Sequence, residues 1–126
     1  MCLAFAAALI LPAFAEAAAA PPRDVQFTMP LEFIGEWNQT LSDCGTGGND
    51  SRLRVSANSV RFYESGGPIK AVVRRGAFEI MFITELSGEG QSWLAAHRLI
   101  LSSDGTYVTA PSDAGSALVR YRCPSR

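Results

Sequence analysis

The chain is predicted to be all-β, with eight strands in an antiparallel up-and-down meander that closes into a small barrel. A flattened sandwich is the alternative. Three observations carry this reading. From Leu31 onward, apolar and polar residues alternate in short runs. Glycine-rich turns separate the runs. The connections after the first are roughly two to six residues long, whereas a parallel crossover needs about a dozen or more. Closure is favoured because it removes exposed sheet edges.

The elements follow in order. Residues 33–40 form the first strand, with Phe33, Gly35 and Trp37 on one face and Ile34, Glu36 and Asn38 on the other. Residues 42–51, SDCGTGGNDS, are too rich in Gly, Asp and Asn for regular structure. Strands are expected at 52–56, 60–64 and 69–74, with turns at 57–59, 65–68 and 75–76 between and after them. Residues 77–86 alternate most clearly: Phe78, Ile80, Phe82, Thr84 and Leu86 face in, and Glu79, Met81, Ile83 and Glu85 face out. Residues 91–101 read as the sixth strand. Their LAAHRL stretch is compatible with a helix, but glycine turns flank it on both sides. Ser102 to Gly105 is a hairpin signal. Strands at 106–110 and 116–123 complete the set. The bulky inward set is Phe33, Trp37, Phe62, Phe78, Ile80, Phe82, Trp93, Leu99 and Leu101, enough to fill much of a narrow barrel.

The sequence of 126 residues divides into three parts. Residues 1–15 read as a signal peptide, with cleavage after Ala15 or as late as residue 20. The apolar run from Leu3 to Phe14 has signal-peptide length and is too short to span a bilayer. No Lys or Arg precedes it. Cys2 lies before the run and so does not fit a lipidation signal, and no membrane anchor is expected. Residues 16–30 are expected to be a linker, and residues 31–126 a single domain. A periplasmic or secreted monomer follows.

Charge and cysteine content narrow the function. With 11 basic and 12 acidic residues the net charge is −1, and nothing in that balance attracts nucleic acid. Cys44 and Cys123 remain after cleavage, and two cysteines in an exported chain read as one disulfide. In a closed barrel Cys123 lies near Phe33. Cys44 must then fold back along the barrel, or the first strand must end early. One histidine and no Cys-x-x-Cys spacing predict no metal site, and no cofactor is expected.

Gly35-x-Trp37 opening the first strand, the eight-strand meander, and Arg120 or Arg122 on the last strand together resemble the lipocalin (calycin) pattern. The resemblance implies that Trp37 closes one end of the barrel and that one of the two arginines stacks on its indole. It also implies binding rather than catalysis. The partner would be a small apolar ligand in the lumen, around Phe62, Phe78, Phe82 and His97, or an envelope component met by loops. Shorter exported barrels with a similar opening include metalloprotease inhibitors, in which case residues 23–29 would be an inhibitory arm. Ser87, Gly88, Glu89, Gly90 and Trp93 resemble the Ser-Gly loop of small lysozyme inhibitors, and their acidic character suits a basic enzyme. A hydrolase built on Glu64, Glu85 and Glu89 is the remote alternative. No nucleophile motif such as G-x-S-x-G is present, and no catalytic residue is assigned.

Overall fold

In the computed structural model, which describes residues 25–47, 49–112 and 114–125, nine strands form one antiparallel sheet that closes on itself. They are β1 (Val25–Gln26), β2 (Gly35–Asn38), β3 (Leu53–Val55), β4 (Ser59–Arg61), β5 (Gly66–Arg74), β6 (Glu79–Gly88), β7 (Gln91–Leu101), β8 (Tyr107–Pro111) and β9 (Ala117–Arg122). Strands β2 to β9 make the expected eight-stranded meander. Each pairs with the next, and β9 returns to β2 through Trp37↔Arg122 and Asn38↔Tyr121. The alternation in β6 is realised: Ile80, Phe82, Thr84 and Leu86 are buried, and Met81 and Ile83 are exposed. Residues 91–101 are strand throughout. The predicted signal peptide and its cleavage positions lie outside the described residues.

The first strand is shorter than the pattern suggests. After Pro30 a 3-10 turn covers Leu31–Phe33, and β2 begins only at Gly35. Gly35 has φ +144, a conformation that side-chain-bearing residues avoid, and a Cβ there would stand 3.3 Å from Nη1 of Arg122. Gly66, Gly67 and Pro68, read as a turn, instead begin β5. Here glycine serves a close approach, since a Cβ on Gly67 would fall 1.8 Å from the carbonyl oxygen of Glu85.

The expected linker is partly structural. Val25 and Gln26 pair with Val73 and Val72. Because β4 is only three residues long and pairs with Gly66 to Pro68, it leaves the rest of that β5 edge open, and β1 covers part of it. Met29 is 3% exposed and its N–H donates to the Ala57 carbonyl at 2.8 Å. Residues 25–29 are therefore committed to the barrel rather than held out as an arm; Arg23 and Asp24 lie outside the described residues.

Two residues of the expected inward set do not reach the core. Phe78 precedes β6 at the barrel rim and is 46% exposed. Trp93 lies opposite Leu86 with inward parity but is 42% exposed. The reason is the length of the neighbouring strand: β8 ends at Pro111, well short of the level of Trp93, and does not cover the indole.

Cys44 and Cys123 form a disulfide, with an S–S distance of 2.05 Å, Cα atoms 5.6 Å apart and a sequence separation of 79. Both routes to this geometry are taken. β2 stops at Asn38, the Cys123 N–H donates to the Glu36 carbonyl at 2.8 Å, and the chain reverses through a 3-10 turn at Leu41–Asp43. The Gly45 N–H then donates to Oε2 of Glu36 at 3.3 Å. Asn38, fully buried, sits against the bridge: its Nδ2 lies 3.0 Å from Sγ of Cys123, and its Oδ1 accepts from Nδ2 of Asn49 at 2.9 Å. A crosslink over so long a loop is worth about 4–5 kcal/mol in chain-entropy terms. The bridge points to a non-reducing compartment. Among the described residues, no helix is long and apolar enough to cross a membrane.

Candidate functional site

The two arginines of β9 point inward and do different things. Arg122 is at the closed end. Its guanidinium carbon lies 4.1 Å from the centroid of the Trp37 ring. Its Nε donates to the Gly105 carbonyl at 3.0 Å, its Nη1 to the Ile34 carbonyl at 3.0 Å, and its Nη2 to the Glu32 carbonyl. Trp37 is fully buried and its indole N–H donates to the Phe33 carbonyl at 3.0 Å. Gly35, Trp37 and Arg122 thus form the capped end, and of the two arginines left open by the sequence, Arg122 takes the stacked position.

Arg120 is deeper along the lumen. It is 8% exposed, and its Nε donates to the Ser51 carbonyl at 2.6 Å. Among the described residues this is its only side-chain hydrogen bond, and it forms no ion pair. Burial pushes its pKa down from the ordinary arginine value, which is the mark of a cation removed from water without a counter-charge.

Beside it is a small cavity of about 150 Å³, lined by Phe62, Phe82, His97, Leu99, Ala110 and Arg120 among others. Its position follows from the sheet. β6 and β7 pair over their whole length, but β7 meets β8 only through Ile100↔Thr109 and Leu101↔Val108. Continuing that register would set Arg98 against Pro111, which has no N–H to donate. The ladder stops there, and the strands part. His97, Arg98 and Pro111 line both the cavity and an outer depression of about 420 Å³ that includes Met81 and Ser112. The lumen is therefore reached sideways, through the β7–β8 seam.

His97 sits between two aromatic rings. Its centroid is 5.4 Å from that of Phe62 and 4.7 Å from that of Phe82, with interplanar angles of 28° and 27°. Its Nε2 is 2.9 Å from the hydroxyl of Thr84. Burial first, and the Arg120 charge second, hold its pKa below the usual imidazole value. The neutral ring is thus favoured. A Thr–His pair has the look of a nucleophile with its base, but Thr84 has no exposed surface and its hydroxyl is out of reach of a substrate. The pair satisfies a buried polar group.

The remaining predicted residues fall elsewhere. Ser87, Gly88, Glu89, Gly90 and Trp93 lie at the β6–β7 hairpin tip, and the indole of Trp93 and the side chain of Leu94, 70% exposed, project from it. Glu85 faces outward and pairs with Lys70 at 3.2 Å. Glu64 and Glu89 are exposed. Of the candidate lumen residues, Phe62, Phe82 and His97 lie together and Phe78 lies apart from them. Arg120 as a cavity residue was missed, although the signal was present: residues 120 and 122 share strand parity, so an arginine stacked inside the barrel implies a second one inside. Ala110 and Pro111 carried no such signal. The barrel is compatible with a lipocalin-like fold. No known protein family, curated protein or solved structure matches the chain.

Proposed function

We propose that this chain is an exported, non-catalytic binding barrel of lipocalin-like descent that takes a small, largely apolar molecule into the β7–β8 seam. The observation that carries the reading is the cavity beside His97, lined by aromatic and aliphatic side chains together with Arg98 and Arg120, and sharing His97, Arg98 and Pro111 with the surface depression. A cavity of about 150 Å³ is the size that accepts a benzene-like ring in a protein interior. Export is supported by the disulfide and by the apolar N-terminal stretch, and lipocalin-like descent by the Arg122–Trp37 stack.

The test is a screen of single-ring compounds by two-dimensional NMR. Binding should move the resonances of Phe62, Phe82, His97 and Ala110. A screen in which no compound moves them would overturn the reading. A second reading, recognition of an envelope protein by the β6–β7 tip, is favoured by the exposure of Trp93 and Leu94. Perturbation confined to those two residues by envelope extract would support it instead.

A further inference from the structure

We propose that the ligand of the seam cavity is a monocarboxylate with one planar ring, its carboxylate held by Arg120 and its ring enclosed by Phe62, Phe82, Leu99 and Ala110. This rests on the cavity-binding reading above and adds the ligand's charge and shape.

The charge comes from Arg120. A guanidinium 8% exposed and without an ion pair among the described residues is an expensive thing to keep in a small barrel. Its structural duty is a single hydrogen bond from Nε to Ser51. That leaves the two terminal nitrogens, the end of the fork that matches a carboxylate, without a hydrogen bond among the described residues, on a side chain that lines the cavity. The other arginines near the seam or on the same strand are spoken for. Arg98, at the rim, donates to Oε1 of Glu79 at 2.6 Å, and Arg122 is spent on three carbonyls and an indole. His97 is held neutral, so it adds no second positive charge. One unmatched cation is balanced by a monoanion; a phosphate dianion would bring a charge that nothing in the cavity meets.

The shape comes from the space. His97 stands between Phe62 and Phe82 and its faces are taken by them, so a guest meets the cavity lining of Phe62, Phe82, Leu99 and Ala110 instead. The volume, about 150 Å³, admits one ring with a short substituent and not a long acyl chain.

The experiment uses the disulfide-bonded protein and a pair of near-isosteric probes, benzoate and benzamide, titrated by NMR on the cavity resonances. Benzoate should bind roughly ten- to a hundredfold more tightly than benzamide, as expected for a hydrogen bond to a charged group. Arg120→Met should abolish that preference. Equal binding of both probes in the cavity would overturn the carboxylate assignment and leave the cavity reading standing. If neither probe shifts the cavity resonances up to about 10 mM, while other neutral single-ring compounds do, the assignment alone is lost. If no compound of any charge binds, both fail. The probe pair acts on the wild-type protein, so the outcome does not depend on the variant folding.

Discussion

Arg120 and Arg122 stand two positions apart on one strand, both aimed into the barrel, and their removal should have very different consequences for stability. Arg122 makes three hydrogen bonds to carbonyls, of Gly105, Ile34 and Glu32, and stacks on Trp37. Each bond from a charged donor is worth about 1.5–3 kcal/mol when buried, and the stack about 0.5–2 kcal/mol. Arg122 is only partly buried, so water replaces some of these contacts in a truncated variant. Arg122→Ala should therefore lose about 3–4 kcal/mol, a large share of the ~5–15 kcal/mol typical of a domain. Arg122→Lys keeps the charge but not the fork or the planar face, and should still lose about 2 kcal/mol. Arg120→Met is the contrast. It removes a desolvated cation and leaves one carbonyl, that of Ser51, without its donor, two effects of opposite sign. Its stability should stay within about 1 kcal/mol of wild type. Urea unfolding followed by tryptophan fluorescence gives the midpoints, which are comparable if the slopes agree. If Arg122→Ala unfolds with the wild type, or Arg120→Met loses as much as Arg122→Ala, the two arginines do not divide their roles in this way.

Three other outcomes are expected. Non-reducing mass spectrometry should find the chain two hydrogens lighter than its reduced form, and Cys44→Ser with Cys123→Ser should lower stability by about 2–5 kcal/mol; free thiols on both cysteines would contradict the bridge. Because the His97 pKa is depressed in the fold, the unfolded chain takes up this proton first: stability should fall as pH drops through the ordinary value of 6.5 and stop falling, for this group, below the depressed one. That window is separate from the acid loss below 4.5 expected from Glu32 and Glu79, whose carboxyls are held down chiefly by hydrogen bonds from Arg74 and Arg98, and His97→Phe should remove the upper window alone. Finally, Glu89 has φ 51 in the tight β6–β7 turn, so Glu89→Gly should raise stability by up to about 1 kcal/mol in thermal melts, and a loss would show that the turn is not strained.

Much of the barrel was legible because period-two alternation survives wherever both neighbours of a strand run its full length. β6 is the clear case, buried at every second position from Ile80 to Leu86. Alternation misleads where a neighbour stops early. Trp93 has the parity of a core residue, but its burial depends on how far β8 extends, and nothing within residues 91–101 records that Pro111 ends the adjoining ladder. Glycine was ambiguous for a related reason. Gly67 is required by the nearness of Glu85, a contact distant in sequence, and locally such a residue looks like a turn. The cavity was the least legible feature, since a gap is set by pairs that fail to form. One of its polar members, Arg120, was visible as an inward residue but not as one without an ion pair among the described residues, because lack of a partner is a property of the assembled structure.

The bridge between Cys44 and Cys123 has one more consequence. It joins the segments that follow β2 and β9, so almost all of the barrel lies inside one covalent ring. A protease that cuts once within that ring, at the exposed turn of Gly76 or of Gly90, makes two fragments that remain a single molecule. The cut pieces stay beside each other at fixed distance, and the sheet can hold its pairing across the nick. Wherever proteases are frequent and replacement slow, the bridge acts as insurance against the first cut, visible on a gel only after a reductant is added.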